Sequence, residues 1–494
     1  MQKIRYHFNQ GLLIELMRKL GYEVSNKGIC YGIANMGMQA ILADDIDTFV
    51  KRSDLLYQIK EANLPIYSLV KYTKTRAAKQ QNLTELDKLI LDIPAFFDGI
   101  LIYQSTNVPS ELHSDQLKIA YQDTLNSLPL ASSLCFDKDK IVQSGVITGV
   151  YDIESLKKYF NSLNNIIKKN KINYSFAFII CDQSHAIAVG YEPSSDLFFL
   201  IDGNDFPGRY YLNGHDMAYA IFNAFDGNDY IVLVTSIFVK KSNEKKFKLI
   251  FNEWKDNESN IFNPNNIKLT DDNSGISWLF MAAHEGQFDT VKWLLENGAD
   301  PNQPDAVGFT PLYAAIDHNH ADIVKLLLAY NASPFKTTNK FIPSYFDLAD
   351  SLQHYSCIKE LNDGIKYWPI RQEIAKLSDD SHSARQFAID ILKKNAHTLS
   401  INELKHKLSE FHRIEKLAKK IRENNKIIDV DERINHSYQA YAKNENITKI
   451  IRQLDLMLSP YENKNCFLSL FNLFKNKKPA CNDEIFAKRI VKSS

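Results

Sequence analysis

Three residues far apart in this chain have the types and settings needed for nucleophilic chemistry. Cys30 lies in NKGICYGIANMGMQA (26–40), where Gly28 allows a turn and the pattern that follows predicts a helix to about Ala43. A cysteine at a helix start meets the positive end of the helix field and unpaired amides, and both favour a thiolate. His185 opens the run HAIAVGYE (185–192), and Asp202 ends the run LFFLID (197–202). Both runs are short and rich in β-branched and aromatic residues. The turn residues Pro193-Ser194-Ser195-Asp196 stand between them, so they predict an antiparallel strand pair. The start of one strand then lies beside the end of the next, which makes His185 and Asp202 neighbours. A carboxylate that orients an imidazole, which in turn activates a thiol, is the arrangement used for acyl transfer. Asp205 is an alternative third member, while His215 in LNGHDM reads as a loop or helix-start residue.

The elements that must position these residues fall into four zones. Residues 1–240 begin with helical spacing at Leu12, Leu13, Leu16 and Leu20. Residues 45–170 read as mostly helical, broken by Pro65, Pro94, Pro109 and Pro129. Strand-like runs follow at 175–181, 185–192, 197–202 and 230–239. Helices first and an antiparallel sheet second indicate an α+β domain. Residues 241–271 form a lysine- and asparagine-rich connector with a helix expected from about Lys245 to Lys255. Its apolar face is Phe247, Ile250, Phe251 and Trp254, which suits either a bridge between domains or a degenerate repeat unit.

Residues 272–370 hold an internal repeat. Asp272-Asn-Ser-Gly275-Ile-Ser277-Trp278-Leu279 aligns with Asp305-Ala-Val-Gly308-Phe-Thr310-Pro311-Leu312 at a shift of 33 residues, and VKWLLENGADPN aligns with VKLLLAYNASPF at the same shift. A third, decayed copy runs from about Thr338 to Trp368. The pattern resembles the ankyrin repeat. Thr-Pro starts the first helix, the Leu-Leu pair buries the second, and Gly298 or Asn331 ends it in a left-handed turn. Such a solenoid offers hairpin tips and first helices for protein binding, and Asp300, Asn302, Asp305 and Lys336 are the candidate contact residues here. The histidines His318 and His320 read as structural.

Residues 371–494 read as a C-terminal helical bundle, with helical spacing over 371–394, 403–424 and 446–458. The basic end, with Lys475, Lys477 and Lys478, is either a face of that bundle or a membrane-peripheral or nuclear-import segment.

Composition narrows the function classes. The 494 residues contain 59 Lys plus Arg and 59 Asp plus Glu, so a dominant nucleic-acid-binding role is not expected. Six cysteines at 30, 135, 181, 357, 466 and 481 form no CxxC pair, which argues against structural zinc and for a reducing compartment. The run Asp44-Asp45-Asp47 lacks calcium-loop spacing, and no phosphate-cradling glycine motif occurs, so no metal or cofactor is expected. The N-terminus carries no secretory signal pattern, and the longest strongly apolar run, 230–239, is half a membrane span.

The order Cys30, His185, Asp202 resembles papain-like cysteine proteases. The helix-start cysteine, the His-Ala-Ile-Ala-Val strand and the strand-end aspartate are similar to the YopT/AvrPphB-like enzymes that bacteria inject into other cells. The resemblance implies Cys30 as nucleophile, His185 as general base and Asp202 as the orienting acid. Papain-like enzymes place an oxyanion-hole amide shortly before the cysteine. Val24 occupies that position here, and Asn26 is the nearby amide candidate. Joined to ankyrin repeats and a helical C-terminus, the layout resembles ankyrin-repeat effectors of intracellular bacteria, closest to the AnkH type. That resemblance implies delivery by a type IV system without a cleaved signal, into the host cytosol or nucleus. Host proteins would be bound through the repeats and the C-terminal helices. The alternative is a non-catalytic host-protein-binding scaffold with a vestigial protease-like domain. Asn302, with Leu294 eight residues before it, resembles substrates of eukaryotic asparaginyl hydroxylases; a plain hairpin asparagine is the other reading.

Overall fold

The computed structural model describes residues 6–24, 28–79, 81–104, 139–257, 264–335, 344–377, 383–396, 398–423, 430–443 and a few positions between 446 and 454. These form two compact units, residues 1–323 with 336–354, and residues 324–335 with 355–494.

A six-stranded antiparallel sheet organises the first unit. Its strands are β1 (Ile141–Tyr151), β2 (Phe176–Cys181), β3 (Ala186–Glu192), β4 (Leu197–Asp202), β5 (Arg209–Tyr211) and β6 (Ile231–Lys240), in the order β1-β6-β2-β3-β4-β5. The inner strands are apolar on both faces because both are covered. Ala177, Ile179, Ala186, Ala188, Phe199 and Ile201 point into a core shared with the N-terminal helices α1 (Gln10–Lys19), α2 (Cys30–Leu42), α3 (Ile46–Glu61), α4 (Ile66–Ala78) and α5 (Glu85–Gln104). Phe176, Phe178, Ile180, Ile187, Val189, Phe198 and Leu200 point the other way. There they meet α6 (Ile153–Lys169), α7 (Gly214–Ala224) and α8 (Glu244–Asn257), with Phe247, Ile250, Phe251 and Trp254 of α8 buried. The connector helix is therefore a covering layer of the sheet.

Two expectations change at this point. Residues 45–170 are not all helical, because β1 runs for eleven residues there and pairs along its length with β6. Gly145 and Gly149 weaken its strand signal, and its partner lies about eighty positions downstream. Nor does Pro94 break a helix, since α5 runs through it. Ile90, Ile93, Phe96 and Phe97 on either side are buried, and that packing outweighs the lost backbone bond.

Helix α2 lies at the centre of the first core and touches β2, β3, β4 and α5. Two glycines allow its close approach to the sheet. A Cβ at Gly37 would lie 2.4 Å from Ile201 Cδ1, and one at Gly190 would lie 2.4 Å from Ile41 Cγ2. The first repeat continues the same unit. It comprises α9 (Trp278–His284) and α10 (Phe288–Glu296), and the next begins with α11 (Pro311–Asp317) and α12 (Ala321–Ala329). Ser277 and Thr310 cap α9 and α11 by accepting from Phe280 N at 3.1 Å and Tyr313 N at 3.3 Å. Gly298 and Asn331 take the left-handed conformation after the second helices, at φ 91° and 71°. Ser344 caps α13 (Tyr345–Ser351) in the same way. His318 and His320, read as structural, reach the carbonyls of Ala314 and His284 at 3.3 and 3.0 Å, and His354 reaches that of Ile316 at 2.8 Å.

In the second unit, α14 (Tyr355–Ala375) crosses the expected boundary at 370, and α15 (Ser383–Asn395) is a separate helix, so 371–394 is not one element. With α16 (Ile401–Glu423) and α17 (Val430–Ala442) they bury Ile374, Ile389, Leu392, Leu404, Phe411, Ile414 and Tyr438. Arg371 is buried and donates to the carbonyls of Leu328 and Ala396 at 2.9 and 3.2 Å. Among the described residues no helix is long and apolar enough to cross a membrane.

Candidate active site

Cys30 is the first residue of α2 and is 7% exposed. Gly28, two residues before it, has φ +98°, the turn required to bring the chain into the helix. His185 stands at the end of the β2–β3 hairpin, one residue before β3. Asp182 Oδ1 holds this hairpin by accepting from the backbone N–H groups of Ser184 and His185, both at 2.6 Å. Asp202 is the last residue of β4. The β3–β4 register pairs it with Ile187, so its carboxylate comes up beside His185. Asp202 Oδ1 lies 2.8 Å from His185 Nε2 and also accepts from Asn204 N at 2.8 Å. Cys30 acts on the His185 ring in the same direction as Asp202. Since Nε2 faces Asp202, Nδ1 is the ring nitrogen left for a further partner.

The electrostatics follow from this geometry. Burial opposes a charge on the His185 ring, but the hydrogen bonds and charges of Asp202 and Cys30 outweigh it and push its pKa up to about 10. The ring edge of His185 also packs on Phe225, with centroids 5.7 Å apart. Cys181 ends β2 near the same spot. Burial pushes its thiol up, and the charges of Glu285, Asp182 and Cys30 act in the same direction, which leaves it an unreactive neighbour.

Asp205, the alternative third member, is turned away from the ring. Its carboxylate pairs with Arg209 Nε at 2.6 Å and with His7 Nδ1 at 3.0 Å. His215 sits exposed in the first turn of α7 beside Asp216. Asn26, the oxyanion candidate, lies outside the described residues. A side-chain amide that sequence reasoning missed stands in the site. Gln10, the first residue of α1, accepts from Ile29 N through Oε1 at 2.7 Å and donates from Nε2 to Asn204 Oδ1 at 3.1 Å. It therefore bridges the residue before Cys30 to the turn after Asp202. Nothing in the sequence marks it, because it lies twenty positions before Cys30 and reaches the site only when α1 packs against α3 and α4. Among the described residues no group of His, Cys, Asp and Glu side chains is arranged to hold a metal ion.

The repeats have a sequence signature of their own. The family model described as Ankyrin repeats (3 copies) matches residues 240–338. Residues 240–338 carry ankyrin repeats. The match takes in the α8 segment and stops where the decayed copy begins. An ankyrin repeat protein of Rickettsia bellii is 44% identical over 69 residues, which is 14% of this chain and 28% of that protein. An ankyrin repeat-containing protein of Schizosaccharomyces pombe is 38% identical over 50 residues, or 10% of this chain and 24% of that one. Human protein phosphatase 1 regulatory subunit 27 is 37% identical over 59 residues, or 12% of this chain and 38% of that one. The chain thus spans between a quarter and two fifths of the length of these relatives.

The candidate contact residues of the ankyrin segment separate by position. Asp300 is exposed, and its carboxylate accepts from Asn302 N at 2.8 Å, which shapes the hairpin tip. Asn302 is half-buried in that tip. Asp305 does not project as a contact residue. It is 8% exposed, and its Oδ1 accepts from the N–H groups of Val307, Gly308 and Phe309 at 2.9, 2.7 and 2.8 Å. A carboxylate used in this way organises the turn and has little left for a partner. In the preceding repeat Asp271, not Asp272, does the same by accepting from Asn273 and Ser274 N–H, so the first turn is one residue longer than the aligned sequence implies. Lys336 lies outside the described residues.

Proposed function

We propose that the N-terminal domain is a papain-like thiol hydrolase or acyl transferase of the YopT/AvrPphB-like kind, acting on a protein that the ankyrin repeats bind. The observation that carries this reading is the buried His185–Asp202 pair, 2.8 Å apart, facing Cys30 at the head of α2. In the proposed reaction the Cys30 sulfur attacks a carbonyl carbon, and His185 gives its proton to the departing amine. Water or a second acceptor then takes the acyl group as His185 removes a proton from it. The developing oxyanion would lie by the Cys30 N–H, with the Gln10 amide turning from Asn204 to donate to it. Asp202 keeps the ring in the orientation that serves the sulfur. No metal or cofactor enters these steps.

The ankyrin segment supports a protein as the partner. With the N-terminal domain it supports the wider reading of an effector of an intracellular bacterium, delivered without a cleaved signal to act in the host cytosol or nucleus. The second reading is a scaffold. The buried thiol with its paired imidazole favours the enzyme, since burying a charged pair costs free energy that a purely structural domain has no need to meet. The test is covalent. The full-length protein is treated with an iodoacetamide probe at pH 7, and Cys30 should be modified far faster than Cys181 or Cys357, as mapped by peptide mass spectrometry. Affinity capture from host lysate with Cys30→Ala should retain a protein that the unaltered chain cleaves or modifies. Equal labelling of all three cysteines, together with unchanged effects of Cys30→Ala in cells, would favour the scaffold.

A further inference from the structure

The first ankyrin repeat is joined to the sheet at the same end as Cys30. One row of paired residues crosses four strands: Thr148 of β1 pairs with Val234 of β6, Val234 with Cys181 of β2, and Cys181 with Ala186 of β3, next to His185. Helix α9 lies on β1 and β6 over this row. Trp278, at the place where the next repeat has Pro311, is fully buried and donates from Nε1 to Thr148 Oγ1 at 3.1 Å. Gln287, just after α9, accepts from the same hydroxyl at 2.9 Å. Neighbouring strands are about 4.8 Å apart, so Thr148 and Cys181 are separated by roughly 10 Å, within reach of a glutamate two residues from Gln287. The charges of Glu285 and of Cys30 both act on the Cys181 thiol, so both groups are within electrostatic range of that side chain. Glu285 is partly exposed, and its Oε1 is held 2.8 Å from His284 Nδ1.

Hydrogen bonds also hold the repeat to the loop before β6. Asp272 Oδ2 accepts from Asp229 and Tyr230 N–H at 2.6 and 2.7 Å, and Asn273 Nδ2 donates to Asp226 O at 3.1 Å. The position of Glu285 relative to Cys30 is therefore fixed by the fold.

We propose that the first ankyrin repeat forms one wall of the Cys30 cleft, and that Glu285 selects polypeptides carrying a lysine or arginine beside the carbonyl that Cys30 attacks. This rests on the reading of Cys30 as a nucleophile and adds the substrate class. Asp182 lies on the same side and reinforces the sign, although its Oδ1 is engaged by the backbone of the hairpin. Partner capture by the repeats and attack at Cys30 then take place on one continuous surface.

The full-length protein is treated with acyloxymethyl ketone probes that carry a single Lys, Leu or Glu residue next to the reactive group. The sulfur–carbon bond forms as the carboxylate leaves, and peptide mass spectrometry reads the modification at Cys30. The readout is the ratio of labelling rates between probes within each protein, which cancels general effects of a substitution on folding. The Lys probe should exceed the Glu probe by on the order of tenfold in the unaltered chain. Glu285→Gln should bring the ratio close to one, and Glu285→Lys should invert it. Labelling by all three probes with no preference, or a preference that survives both substitutions, overturns the inference and leaves the nucleophile standing. Failure of every probe to label Cys30 overturns the nucleophile and the inference together.

Discussion

Replacing Asp202 by Asn keeps the shape of the side chain and removes the charge that the His185 ring faces. The ring's pKa is raised from 6.5 to about 10, and at about 1.4 kcal/mol per pH unit that rise amounts to roughly 5 kcal/mol. Asp202 and Cys30 share the effect against the opposing cost of burial, and Asp202 is the larger contributor. About half or more, roughly 2–3 kcal/mol, therefore belongs to Asp202. Both side chains are about nine-tenths buried, at 9% and 10% exposure, so solvent screening takes little from this figure. The sign follows from the raised value. Below the ordinary histidine range the ring is protonated in folded and unfolded chains alike, and the full contribution is present. As pH rises toward 10 the unfolded ring has lost its proton while the folded one still holds it, and the contribution fades. Urea unfolding of the full chain at pH 6 and pH 9 measures this. Asp202→Asn should lose about 2–3 kcal/mol at pH 6 and clearly less at pH 9. NMR of labelled histidine should show the His185 ring largely protonated at pH 9 in the unaltered chain and largely neutral in the variant. An equal loss at the two pH values, or a ring that stays protonated in the variant, would refute the reasoning.

Three other substitutions test the supports of the site, and a fourth tests its amide. In Gly32→Ala the new Cβ would lie 2.2 Å from the Ile100 carbonyl oxygen, which is backbone and cannot swing aside; a loss above about 3 kcal/mol is expected by urea unfolding. In Gly37→Ala the clash is with the end of the Ile201 side chain, and a loss near 1 kcal/mol is expected, partly offset by the better helix propensity of alanine. Trp278→Phe keeps most of the packing but leaves Thr148 Oγ1 without its indole donor, and should lower stability by about 1 kcal/mol, measured as a fall in the thermal midpoint. Gln10→Ala should slow turnover of a trapped substrate by on the order of 10²–10³ while Cys30 still alkylates at a rate near that of the unaltered chain.

The regions of this molecule differ in how far they could be read from the sequence. The repeat was legible because its determinants are local. Ser277 and Thr310 cap helices three residues away, and Gly298 and Asn331 act on their own backbone. The neighbours His185 and Asp202 could also be read, because a tight turn fixes the register of the two strands that carry them. Strand β1 could not, because its partner β6 is about eighty positions away and its glycines blur its own pattern. The inward turn of Asp305 was equally hidden, since an aspartate at a hairpin has the same residue type whether it faces solvent or three amides.

The sequence by itself determined the strand pair joined by a tight turn, the ankyrin segment and the three residue types that could act together. These depend on periodicity, capping and turn chemistry, all of which operate within a few residues. Only the tertiary structure decided that the His185–Asp202 pair is buried, that Gln10 bridges Ile29 to Asn204, and that the first repeat docks on β1 through Trp278. Those placements depend on the close packing of α2 at Gly37 and Gly190, and on Trp278 filling the place beside Thr148. Packing of this kind joins residues tens to hundreds of positions apart, and no local pattern in the chain records it.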